Sequence, residues 1–340
     1  MSLRRGAVAI LLLLVTGLAA SAPPRRFEVQ GFSMAPGFRP GDIVRTSWFP
    51  LRDRLQSPAR FDCWVLQAAD ADDPSSSLPV LKRVVGLPGE EVSLLDGDLV
   101  VAGRPVLKTP AELTHVAVEV PNSIRAETRH WERPAGEVLD DVDVATGAPH
   151  DLQPVRDVGL AVVVDVATAG ADGVRVRAEV AAAAVSWRIH DRGRYACVAG
   201  RLDGHLVAAC WPLGNNEQAG KERRCLPPRP PATWQIAEPW PEVSVPHDLL
   251  APRLSIRLEG PSDAKLVQAA VWRDLLYRQA AGGTSTWRPA AGEFVVLGDY
   301  SPASRDSRQW GPVPRGVLRH RVHGSTQAVT PGSDLTDPAR

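Results

Sequence analysis

Prolines and glycines, 31 and 28 of them in 340 residues, are scattered along this chain and cut it into short pieces. Proline fixes φ and removes a backbone donor, so this spacing argues against long helices and for short strands joined by turns. Alternating runs between these breaks, such as 159–165, 173–179 and 254–258, read as strands and predict a mainly β fold. Only 263–279 can hold a helical turn or two, and its second half reads equally well as strand. Lys+Arg and Asp+Glu both number 39, so no overall field attracts nucleic acid.

The N-terminus carries a compartment signal. Arg4 and Arg5 precede an uncharged, mainly apolar run from Ala7 to Ala22. That is short for a membrane span, which needs about 20 residues, and suits a cleavable signal; Ala20-Ser21-Ala22 reads as a cleavage site. Composition leaves anchor and signal peptide open. Either one exports the remainder of the chain, since the arginines stay cytoplasmic.

Three segments carry chemistry: Gly31-Phe-Ser-Met-Ala-Pro36, Leu81-Lys-Arg-Val-Val-Gly-Leu-Pro-Gly-Glu90, and Gly298-Asp-Tyr-Ser-Pro-Ala-Ser-Arg-Asp-Ser-Arg308. They offer serines, a lysine and an Asp/Arg cluster, with no histidine. That set suits acyl transfer in which a neutral lysine activates a serine. Ser33 follows a predicted strand in a turn stiffened by Pro36 and Pro40, where its side chain can be exposed and its own N–H aimed at a carbonyl. Lys82 lies on a predicted strand, so Lys82 and Arg83 face opposite sides. A lysine buried there loses its charge readily, whereas arginine does not deprotonate, so Lys82 is the candidate base and Arg83 is expected to be exposed. The plainer alternative for Lys82 is an amine reaching out to solvent.

The order and wording of these segments resemble type I signal peptidase, the membrane-anchored Ser-Lys protease family that removes export signals. The resemblance covers residues 26–106 and 292–323. It implies a catalytic β-domain formed by 26–109 and 289–324; the region between them, 110–288, reads from its short alternating runs and turns as an inserted β-sandwich of its own. The basic start 1–6, an apolar helix over 7–22 and a polar tail 325–340 complete the chain. It further implies that Ser304 hydrogen-bonds and orients the lysine amine, that Asp306 and Arg308 pair, and that Asp299 supports the same cluster. Small pockets lined by Met34, Leu81 and Val84 would select small side chains of an extended substrate paired along 26–31 and 80–82.

The implied partners are preprotein signal peptides with small residues before the cleavage site, and membrane lipid through the N-terminal segment. The implied location is the inner membrane, crossed once, with the catalytic domain on the extracytoplasmic side. No cofactor and no metal is called for, as no CxxC or HxxxH spacing occurs. Family members that place a serine two residues before the nucleophile use it as an oxyanion donor. Here Gly31 stands in that position, which moves the work to the Ser33 N–H. Tyr300 and Ala303 stand where asparagine is usual or frequent. Two other readings stay open: a relative of narrow substrate range, and an exported binding protein whose insertion uses Trp187, Trp211, Trp234 and Trp240 as a platform.

Four cysteines are present. Asp203-Gly204 is a two-residue hairpin signal that sets Cys197 opposite Cys210 at a non-hydrogen-bonded site, with Cα atoms about 4.5 Å apart. That distance permits a disulfide, and equally two small side chains packed across a ribbon.

Overall fold

The computed structural model describes residues 25–46, 53, 55–69, 77–124, 128–140, 152–169, 172–181, 183–214, 226–227, 230–239, 252–260, 262–279 and 283–326. The apolar segment 7–22, the tail beyond 326, Trp240 and Cys225 lie outside these residues. Strands dominate, as the proline and glycine spacing predicts. In chain order they begin with β1 (Arg26–Glu28), β2 (Ile43–Thr46), β3 (Cys63–Ala69) and β4 (Ser77–Gly86). Next come β5 (Val92–Leu95), β6 (Asp98–Val101), β7 (Arg104–Pro105), helix α1 (Pro110–Val116), β8 (Val118–Ile124) and β9 (His130–Arg133). The middle of the chain adds β10 (Val158–Ala169), β11 (Val174–Val180), β12 (Ala183–Ile189), β13 (Gly193–Leu202), β14 (His205–Leu213) and β15 (Gln235–Pro239). The rest are β16 (Leu254–Glu259), β17 (Ser262–Arg273), β18 (Thr286–Trp287), β19 (Glu293–Leu297), the single-turn helix α2 (Ser307–Trp310), β20 (Val313–Pro314) and β21 (Leu318–Thr326).

The chain forms two compact units, one of residues 1–90 with 282–340, the other of 91–281. The first is built on an antiparallel sheet ordered β1-β2-β21-β3-β4-β19-β20. Chain ends therefore interleave: β21 from the C-terminus separates β2 from β3, and β19 lies beside β4. This places the three motif segments on neighbouring strands and their loops. Val84, Trp64, Leu66, Phe294 and Val296 fill one apolar cluster; Val29, Val44 and Val65, with Leu81 packed on them, form another.

The second unit has a six-stranded sheet, β15-β14-β13-β10-β17-β8, and a four-stranded one, β12-β11-β16-β9. Inward residues of both sheets share one core, from Leu160, Val162 and Val164 to Val174, Val176 and Ile256. The alternation of β11, buried at Val174, Val176, Ala178 and Val180 and open between them, is that of a sheet with one face on a core. Segment 262–273 is strand throughout, so the helical alternative fails; pairing with β10 along its length decides it. The tryptophan platform fails as well: Trp187 and Trp211 are each 8% exposed, and Trp234 Nε1 donates to Lys108 O. Tryptophan in a sandwich gains more from burial than from display.

A short helix went unread in the sequence. Thr109 caps α1, its hydroxyl accepting from Glu112 N while Glu112 accepts from Thr109 N, and Pro110 occupies the first turn. Just before it, Lys108 is buried between Asp203 and Asp274, with Nζ 2.8 Å and 2.6 Å from their carboxylates. Asp203 N donates to Asp157, whose other oxygen lies 3.9 Å from Arg201. Asp98, Asp157 and Asp203 bring carboxylate oxygens within 4.8 Å of one another. Four carboxylates around so few cations cannot all ionise cheaply out of water. Burial, reinforced by Asp157 and Asp203, pushes Asp98 up to about 9, and burial pushes Asp203 up to about 7. For Lys108 burial favours the neutral form, yet Asp274 and Asp203 outweigh it and hold the amine well above its ordinary value.

A carboxyl whose folded pKa is raised stabilises the fold at low pH, and that contribution is lost as pH climbs through the folded value. The second unit is therefore expected to lose stability as pH rises from 6 to 9. Asp98→Asn should flatten that slope, as read by thermal unfolding across the pH series.

Candidate active site

Ser33 sits in a turn that closes on itself. Ala35 N donates to Phe32 O and Phe38 N to Met34 O, both at 2.9 Å, and the Ala35–Pro36 peptide is cis. The base of the loop is tied by Val29 N to Asp42 O and Gly41 N to Val29 O. From the C-terminal segment, Tyr300 N donates to Ser33 O at 3.0 Å. The Ser33 N–H has no acceptor among the described residues.

Lys82 lies on β4 with Val80 and Val84 on its own face and Trp64 opposite it on β3. It is 3% exposed, and its Nζ lies 2.9 Å from Ser33 Oγ. Burial drives the amine down from 10.5 to about 8; Asp306 and Asp299 partly oppose this, while Arg308 adds to the fall. At pH 7 about one molecule in ten then carries a neutral Lys82. Protonated, Nζ donates to Ser33 Oγ; neutral, it accepts the hydroxyl proton, the state a general base requires.

Asp306 is fully buried and caps α2. Its carboxylate accepts from Gly298 N (2.9 Å), Ser304 Oγ (2.6 Å), Arg308 N (3.1 Å) and Arg308 Nε (2.8 Å). Burial alone would raise this acid, but the Arg308 contacts, Ser304 and the Gly298 amide hold it below its ordinary range. Asp306 and Arg308 thus pair, and Ser304 is gathered onto the carboxylate; its hydroxyl bond runs to Asp306, not to the Lys82 amine.

Arg83 corrects the sequence reading. It is 2% exposed, not displayed to solvent, and grips Asp299 through Nε at 2.7 Å and Nη2 at 2.5 Å while Nη1 donates to Phe61 O. Lys82 and Arg83 do face opposite sides, but both are buried and an apolar cluster lies on each face of β4, so neither side opens to solvent. The bidentate carboxylate makes the buried guanidinium tolerable. Asp299, which the resemblance places only in support of the Ser304, Asp306 and Arg308 cluster, is the carboxylate that holds Arg83.

Of the proposed pocket residues, Met34 is 1% exposed, and Leu81 and Val84 belong to different apolar clusters on opposite faces of β4. The structure does not bring these three together around one cavity. The first unit does leave backbone open: β1 is a sheet edge, and β4 pairs with β19 only from Arg83 onward.

Residues 3–141 match the family of signal peptidase, peptidase S26. Both Ser33 and Lys82 fall inside the matched span, which supports a hydrolase of the signal-peptidase type. The Asp299–Arg308 segment lies outside it and joins the site through the β4–β19 pairing and its contacts with Ser33 O and Arg83. No curated protein matches the chain.

Gly298 is a residue of the site that only its backbone explains. A Cβ there would lie 2.1 Å from Ser304 Oγ and 2.5 Å from Ser33 O, a clash with main chain that cannot be relieved by one rotamer. At Gly31 a Cβ meets open space. Gly298→Ala should therefore lower peptidase turnover at least tenfold, whereas Gly31→Ala leaves folding and turnover within about twofold; kinetics with circular dichroism on both proteins checks this.

Proposed function

We propose that this protein is a membrane-anchored Ser-Lys endopeptidase that removes N-terminal signal peptides from exported preproteins. The observation that carries the reading is a lysine amine, lowered to about 8 by burial, 2.9 Å from a serine hydroxyl in the family-matched segment. Neutral Lys82 takes the proton as Ser33 Oγ attacks the scissile carbonyl. The tetrahedral oxyanion is met by the Ser33 N–H, which has no competing acceptor among the described residues. As the C–N bond breaks, the Lys82 ammonium returns its proton to the departing amine. Water then gives a proton to Lys82, its oxygen attacks the ester, and Ser33 is regenerated.

An extended substrate is proposed to pair with the open backbone of β1 and of the first half of β4, with small side chains before the cleaved bond. Ser304, Asp306, Arg308, Asp299 and Arg83 act through position: they fix the two strands and the turn that hold the serine and the amine. The anchor is assigned to 7–22, with the catalytic unit on the extracytoplasmic side of the inner membrane. No helix among the described residues is long and apolar enough to cross a membrane, so this span rests on sequence alone.

The test is cleavage of a preprotein carrying an Ala-x-Ala site by detergent-extracted protein. Ser33→Ala and Lys82→Ala are each expected to lower turnover by at least a thousandfold, and wild-type turnover should fall about tenfold per pH unit below 8, where the amine is protonated. Activity retained by either variant defeats the dyad. Separately, activity found in the soluble fraction of cells, with a mature N-terminus at Pro23, removes the anchor.

A further inference from the structure

Cys197 and Cys210 are direct partners in the β13–β14 register, five pairs out from the Leu202–His205 pair that flanks the turn. Their sulfurs stand 2.9 Å apart as free thiols. The pair site is the closely spaced, non-hydrogen-bonded kind, whose Cα separation of about 4.5 Å is within disulfide range. The strands are held there from outside: β13 packs along β10, with Val162 beside Cys197, and the turn residue Asp203 is fixed by Lys108. Both sulfurs face the sandwich core.

Their accessibility differs. Cys197 is fully buried, while Cys210 is half-buried at the border of the core. Burial raises the Cys197 thiol well above its ordinary value, so Cys210 is the thiol that opens the exchange and Cys197 follows at contact distance; Cys63, buried in the first unit and pushed up to about 12, has Arg83 and no cysteine opposite it in the strand register.

We infer that Cys197 and Cys210 form a thiol–disulfide exchange site in the second unit, with an external disulfide as oxidant. Cys210, as thiolate, attacks one sulfur of that disulfide; one external thiolate leaves and a mixed disulfide remains on Cys210. Cys197 gives up its proton and attacks Cys210 Sγ, and the second external thiolate departs. The protein loses two hydrogens, two electrons pass to the oxidant, and two external thiols result. The cross-link fastens β14 to β13 within a sheet whose hairpin turn is already gripped by the buried charge cluster. This inference is independent of the peptidase reading.

The test uses the full chain, reduced and then incubated with oxidised glutathione. After alkylation of remaining thiols and tryptic digestion, peptide 195–201 should be found joined to peptide 202–221, with Cys63 alkylated. The oxidised protein should melt several degrees above the reduced one, and a dithiol reductant should erase the difference. In Cys197→Ser, glutathione should remain on Cys210; in Cys210→Ser, Cys197 should stay free. Both peptides recovered alkylated from wild type, or Cys210 joined to Cys225 in place of Cys197, overturns the inference.

Discussion

The site depends on one constraint, a lysine amine enclosed on a strand with both faces covered. Removing water from Lys82 lowers its pKa toward the working range, and the lost solvation is the force that produces a base. That constraint sets the architecture around it. Apolar side chains must cover the Lys82 face of β4, as Trp64, Val84 and Val296 do, and β19, paired with β4 from Arg83 onward, delivers the loop that starts at Gly298. It also explains the adjacent arginine. A strand covered on both sides buries Arg83 along with Lys82, and a guanidinium cannot shed its charge, so Asp299 is required on that side.

The molecule contains a second buried lysine with the opposite outcome. Lys82 meets a serine hydroxyl and stands apart from the carboxylates, so desolvation prevails and the amine falls. Lys108 touches two carboxylates, so attraction prevails and the amine rises, leaving the surplus protons on Asp98 and Asp203. One residue type, buried to the same degree, thus serves as a candidate base in one unit and as a structural cation in the other. The difference lies in whether a carboxylate is within contact distance. The Asp306 carboxylate, which favours the charged amine from a distance, is already occupied by Arg308, Ser304 and the Gly298 amide, so it does not pair with Lys82 and hold it charged.

Much of the fold is legible in the sequence because its signals are local. Glycine and proline spacing gives short strands, and Asp203-Gly204 gives the hairpin and the register of Cys197 on Cys210. The meeting of Ser33 with Lys82 is legible for another reason: a serine in a turn or a lysine on a strand says little alone, but three segments in one order narrow the choice. What was not legible depends on long-range pairing. Whether Arg83 is exposed turns on a strand more than 200 positions away. The charge cluster draws Asp98, Lys108, Asp157, Asp203 and Asp274 from five separate segments, none remarkable by itself. Core and platform stay open for the tryptophans in the sequence because it does not say which face of a strand meets the other sheet. Helix α1 is a different miss, since Thr109-Pro110 with Glu112 was a local signal that the surrounding strand pattern overrode.

The central claim is that Lys82 is a neutral-competent amine because the fold buries it. The direct measurement is a titration of the folded protein labelled at lysine Nζ and Cε, followed by nuclear magnetic resonance, with Lys82→Met assigning the signal. A Lys82 midpoint near 8, moving back toward 10.5 on unfolding, is the result this account predicts. A midpoint near 10.5 in the folded protein would contradict it, because the amine would then be charged at every pH at which the serine must be activated.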